Sequence, residues 1–170
     1  STRIDSDQLL VADRTMFWGP QVYGAHTETA VASPSTIWYL AEGATHSGFN
    51  LFYLLQNPNP AEAVVRVRFL LPTGAPLEKT YTLVPNSRTN IWVDYEQFPG
   101  LGAALANTDV SAVFEVQNGQ AIIVERAMYS DVPNQSYGAG HESAGVTAPA
   151  TEWFLAEGAT GRFFDLFVLI

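Results

Sequence analysis

Cysteine is absent from this 170-residue chain, which excludes disulfides, thiol nucleophiles and cysteine-ligated zinc. Lysine is almost absent: of eight basic residues, seven are arginines and only Lys79 is a lysine. Against them stand seventeen acids, for a formal net charge of −9. A chain this acidic has no electrostatic footprint for nucleic acid or anionic lipid, so neither is expected as a partner. Its apolar runs fall far short of the roughly 20 residues a helix needs to cross a bilayer, so membrane insertion is not expected. The opening STRIDSDQLL lacks the basic-then-apolar pattern of a secretory leader. There is no G-x-S-x-G, H-E-x-x-H, P-loop or dinucleotide fingerprint, and no pair of acids is placed to argue glycoside hydrolysis. No catalytic residue, cofactor or metal site is therefore expected. What is present is apolar material: 47% of residues are hydrophobic, enough for a sizeable core.

That material is organised as a repeat. TIWYLAEGATHSGFNLFYLL from Thr36 returns as TEWFLAEGATGRFFDLFVLI from Thr151, twelve of twenty positions identical, at an offset of 115. Upstream, QLLVADRTMF from Gln8 matches QAIIVERAMY from Gln120 at an offset of 112. Asp13-Arg14 falls on Glu125-Arg126, the connections that follow differ by three residues, and His26 then falls on His141. The expected organisation is a C-terminal part of one repeat with linker (1–35), a complete repeat (36–149) and the N-terminal strands of a third (150–170). The last residue, Ile170, falls inside an expected strand, Phe163–Ile170. An unfinished sandwich leaves strand edges unpaired, so the chain is expected either to belong to a longer array or to pair its ends with another chain.

The complete repeat reads as β throughout. Strands are expected at Trp38–Leu40, Phe49–Gln56, Ala63–Leu71, Lys79–Val84, Thr89–Asp94, Val110–Gln117 and Ala121–Tyr129. In the third of these, Val65, Val67 and Phe69 share one face and Arg66 and Arg68 the other. NPNP at 57–60, Pro72-Thr73-Gly74 and Pro85-Asn86-Ser87 punctuate them. Asn118-Gly119 is a hairpin signal between the last two. Residues 95–107 are irregular, with room for one helical turn around Leu101–Leu105, and 130–150 reads as a Ser/Gly-rich linker. Seven short strands at about ten-residue spacing indicate an antiparallel β-sandwich.

WYLAEG (38–43), YTLVPNSRTNIWV (81–93), NTDVSAVFEVQ (107–117) and AIIVERAMY (121–129) together resemble the β-sandwich superfamily of the Anabaena sensory rhodopsin transducer. With LAEGAT and GHESAGVTAPAT (140–151), the chain is more similar still to tandem repeats of secreted or surface proteins of bacteria. The resemblance implies a small antiparallel sandwich that binds small molecules such as sugars, or protein partners, without catalysis. It also implies an extracellular or cell-surface location.

Four residues stand out as candidates for a ligand-binding site: Trp38, Glu42, Arg126 and His141. A carboxylate at a strand end beside an indole suits a sugar, one gripping a hydroxyl and the other stacking on the ring. The competing reading is packing: Trp38 in the core and Glu42 accepting backbone N–H groups in the turn closed by Gly43. Neighbouring strand residues face opposite ways, so only one of Glu125 and Arg126 points inward, where it needs a partner. For Arg126, Glu42 is a plausible one, as a structural ion pair or as part of a polar site with His141. Asn107-Thr108-Asp109 reads as a turn, since it lacks the acidic spacing of an EF-hand. Two functional classes follow: a structural module of a surface array, assembling through its incomplete ends with other copies, or a carbohydrate-binding module.

Overall fold

The computed structural model describes residues 1–19 and 24–170. The three-residue difference between the two repeat connections falls partly on 20–23, outside the described residues. Among the described residues ten strands are present: β1 Asp13–Trp18, β2 Gly24–Thr29, β3 Ile37–Leu40, β4 Phe49–Asn57, β5 Ala63–Leu70, β6 Leu77–Leu83, β7 Ser87–Trp92, β8 Ser111–Val116, β9 Ile123–Val132 and β10 Gln135–Ala144. They form two four-stranded sheets, ordered β10-β9-β4-β7 and β3-β8-β5-β6, and a separate β1–β2 hairpin. Every pairing is antiparallel.

The two sheets face each other as a sandwich, and alternation decides which side chains fill it. Leu51, Tyr53 and Leu55 of β4 and Val65, Val67 and Phe69 of β5 are buried, joined by Trp38, Ile91, Phe114 and Val124. Each such side chain contributes roughly 1.5–3 kcal/mol by leaving water. Trp92 points the other way, as its place beside Ile91 and Val93 requires. The NPNP segment is stapled from within: buried Asn57 donates to the carbonyls of Ala61, Leu83 and Val84 and accepts from Asn59. After β10 the chain crosses to the opposite sheet, where Tyr39 and Val146 exchange both backbone hydrogen bonds (2.8 and 3.0 Å) and cover β3.

The structure departs from the sequence reading in four places. The expected linker 130–150 holds an eighth strand of the sandwich, β10, which continues from β9 through a tight turn. Its Ser, Gly and Ala residues hid the alternation because they serve close packing: a Cβ on Gly138 would meet Val132 at 2.4 Å, and one on Gly140 would meet Tyr129 at 2.6 Å. Asn118-Gly119 does not close a hairpin, because β8 and β9 lie in different sheets. The Asn118 side chain instead accepts from Val64 N–H (3.1 Å) and donates to the Glu62 carbonyl (2.8 Å), fastening the sheet-to-sheet crossing to the start of β5. Residues 101–105 form turns, and the single helical turn among the described residues is a 3-10 turn at Val93–Tyr95. Finally, 163–170 forms no strand; only a bridge between Gly161 and Phe164 is present there.

Candidate functional site

Arg126 comes from β9, the second strand of one sheet, and its side chain is buried. Alternation sends it inward and Glu125 outward, and the inward guanidinium needs charge and acceptors. Glu42 supplies them from the segment after β3, which belongs to the other sheet. Arg126 Nη1 donates to the Glu42 carboxylate and, at 3.3 Å, to its carbonyl. Arg126 Nη2 lies 2.8 Å from His141 Nδ1 on neighbouring β10. Three of the four candidate residues therefore meet in one cluster that ties the two sheets together. Glu42 is partly open to solvent and His141 is exposed. Tyr53, opposite Arg126 in register, lines the interior beside it, and burial pushes its phenol far up.

Trp38 is not part of this cluster. Its indole is 2% exposed and its N–H donates to the Ile122 carbonyl at 2.9 Å. It packs in the core, so it offers no face on which a ring from solvent could stack. The spacing in W-x-L-A-E-G, which the chain carries twice, serves two jobs at its first occurrence: Trp38 fills the sandwich, and Glu42 reaches Arg126. Gly43 is required for backbone approach, since a Cβ there would meet the Val110 carbonyl at 2.5 Å. The Gly43 carbonyl accepts from Val110 N–H at 2.9 Å.

A second polar cluster sits where the β1–β2 hairpin packs against β9 and β10. Arg14 bonds Glu142 (2.6 Å) and Glu125 (3.2 Å). His26 Nδ1 lies 3.1 Å from the other Glu142 oxygen, and its Nε2 is 3.3 Å from the Tyr129 hydroxyl. The Trp18 indole N–H donates to the Tyr137 carbonyl at 2.7 Å, and its ring meets Tyr129 edge-on at 5.2 Å. Glu28 accepts from Ala144 N–H at 3.3 Å. Burial pushes the Glu142 carboxyl up to about 7, with Glu125 adding to the rise and Arg14 opposing it. Burial pulls His26 down, the Arg14 charge helping. The sequence marked Arg14 and His26 only as counterparts of Arg126 and His141; it carried no signal of what they touch, because the partners lie more than 100 residues away.

Asn107-Thr108-Asp109 is a turn, as expected: Asn107 has φ 59°, and Thr108 N–H donates to the Thr45 hydroxyl at 3.0 Å. Asp109 also holds His46 at 2.9 Å. Among the described residues, no group of three His, Asp or Glu side chains is arranged to hold a metal ion.

No family model matches the chain, and no curated protein matches it. Among solved structures, "Thermotoga maritima 1070" superposes with a TM-score of 0.57 at 15% identity, over 68% of this chain and 97% of that one. The Anabaena sensory rhodopsin transducer matches with a TM-score of 0.48 at 17% identity, over 57% of this chain and 91% of that one. The chain thus shares its fold, an antiparallel β-sandwich, with the Thermotoga maritima protein.

Proposed function

We propose that this chain is a non-catalytic repeat module of a secreted or cell-surface bacterial protein. It serves as a unit of a stalk, surface layer or filament, and its partners are other copies of the same repeat. The observation that carries this reading is that the repeated sequence makes the same hairpin twice. In β1–β2, Met16 stands opposite His26 and Trp18 opposite Gly24; in β9–β10, Met128 stands opposite His141 and Ser130 opposite Ala139. One register in both places is what a duplicated structural unit requires, and the first hairpin packs on the second through the Arg14–Glu142–His26 contacts. Residues 151–170 add a second support. They repeat β3 and β4 in sequence, yet present Trp153, Phe154, Phe163, Phe167 and Ile170 to solvent. Apolar surface of this kind favours association.

Sedimentation velocity over a wide concentration range tests the reading. Association that grows with concentration is expected, and a chain that stays monomeric throughout sinks it.

The alternative, a carbohydrate-binding module, loses Trp38 but draws on a different surface. Phe52, Trp92 and Tyr95 form a half-exposed aromatic row on the outer face of the β4–β7 pair, with ring centroids 5.0 and 4.5 Å apart. Such rings stack on sugars. Glycan binding that disappears in Trp92→Ala would favour this second reading.

A further inference from the structure

In the complete sandwich β9 is paired on both sides, by β10 and by β4. Its counterpart β1 is paired on one side only, by β2, so among the described residues the β1 edge that corresponds to the β4 side of β9 is free. A free edge of six residues is a template for another strand. The counterpart of β4 is also in the chain: Phe164–Ile170 repeats Phe49–Leu55. That segment is exposed and forms no strand of its own. One half of a known pairing therefore lies near each end of the molecule.

We propose that the Phe164–Ile170 segment of one copy adds as a strand to the free edge of β1 in a second copy, antiparallel, in the register that β4 and β9 show. This rests on the reading of the chain as a self-associating module, and it specifies the surface. The observed pairs Phe49↔Ser130, Leu51↔Met128, Tyr53↔Arg126 and Leu55↔Val124 translate, through the offsets of 115 and 112, into Phe164↔Trp18, Leu166↔Met16, Val168↔Arg14 and Ile170↔Ala12. Main-chain hydrogen bonds provide the attraction, and the alternating apolar side chains of the donor set the register. Each copy carries one donor and one acceptor on different surfaces, so the contact is heterologous and yields open chains or rings rather than a closed two-fold dimer.

The absence of cysteine makes the register directly testable. Thr15 and Phe167 occupy the positions of Ala127 and Phe52, which stand opposite each other in the sandwich. Opposite residues of an antiparallel pair have Cα atoms about 4.5–5.5 Å apart, within reach of a disulfide. Thr15→Cys and Phe167→Cys chains are mixed, oxidised mildly and resolved by mass. Both sites are exposed, so neither change threatens the sandwich. The expected result is a mixed disulfide dimer in yield about tenfold above that of Thr15→Cys with Leu166→Cys, where the side chains leave the strand on opposite faces. Equal yields from the two mixtures overturn the proposed register, even if sedimentation still shows association. No mixed dimer, with the double variant closing on itself as a monomer, overturns the second copy as occupant. Leu166→Asp supplies an independent reading: association at a concentration where the parent assembles should be lost, and unchanged association overturns the proposal. Failure of the parent to associate at all removes the underlying reading as well.

Discussion

Residues 36–55 and 151–170 carry nearly the same sequence and have different structures. In the first copy Trp38 is 2% exposed, and Leu51 and Leu55 are fully buried; in the second, Trp153 is 58% exposed, Leu166 50% and Ile170 fully open. LAEGAT ends an ordered strand in one place and lies in an exposed segment in the other. Twelve identical residues of twenty cannot account for the difference. Partners can: β3 has β8 beside it, and β4 lies between β9 and β7. A strand has no internal hydrogen bonds, so its stability belongs to the sheet that receives it. The hairpin copies teach the complementary lesson. β1–β2 forms in the same register as β9–β10 because both of its strands and their connection are present in one stretch of chain.

The largest expected effect sets the two tryptophans against each other. Trp38→Ala should lower the unfolding free energy by about 3–5 kcal/mol, since it leaves a core cavity. Trp153→Ala should change it by less than about 0.5 kcal/mol. Urea unfolding followed by circular dichroism measures both, and similar losses would erase the distinction between the copies.

The two arginines come next. Arg126→Ala strips charge-assisted bonds from a buried site and should cost the sandwich about 2 kcal/mol. Arg14→Ala should leave the sandwich transition nearly in place, because its half-open contacts with Glu125 and Glu142 are worth about 1 kcal/mol after solvent screening. What it should release is the hairpin, read as faster proteolysis within β1 and β2.

The smallest effect is in pH. The carboxyl of Glu142 is raised from 4.5 to about 7 where the hairpin covers it. Its contribution to docking is thus complete below 4.5 and lost as the pH rises through 7. His26 is depressed below its ordinary 6.5, so its contribution is complete above 6.5 and lost as the pH falls through the lowered value. Glu142→Gln removes only the first dependence. Relative to that variant, the parent should lose docking between pH 4.5 and 7, as reported by the Trp18 indole N–H signal in NMR spectra. Parallel pH profiles would show that Glu142 does not control the contact.

Much of the sandwich was legible because its strands announce themselves by alternation. Val65, Val67 and Phe69 on one side and Arg66 and Arg68 on the other leave little choice of face. The same rule said that one of Glu125 and Arg126 turns inward and needs a partner there; the structure turns Arg126 inward, and Glu42 is its acid. β10 was not legible, because Gly138 and Gly140 pack by their smallness and carry no hydrophobic period. Asn118-Gly119 misled, since the local turn chemistry that closes a hairpin serves equally to cross between sheets. The Trp18–His26–Glu142 junction had only its residue types on view.

The sequence by itself determined the repeated stretches, the β class, the alternating faces of its strands, and that one of Glu125 and Arg126 must turn inward to a partner. These follow from spacing along one chain and from the period of two. Which strands lie side by side, whether Trp38 faces core or solvent, and whether one copy of LAEGAT orders while the other stays open were decided only by the tertiary structure. The reason is that a β-strand is completed by neighbours distant in the chain, and no local pattern says whether those neighbours are present.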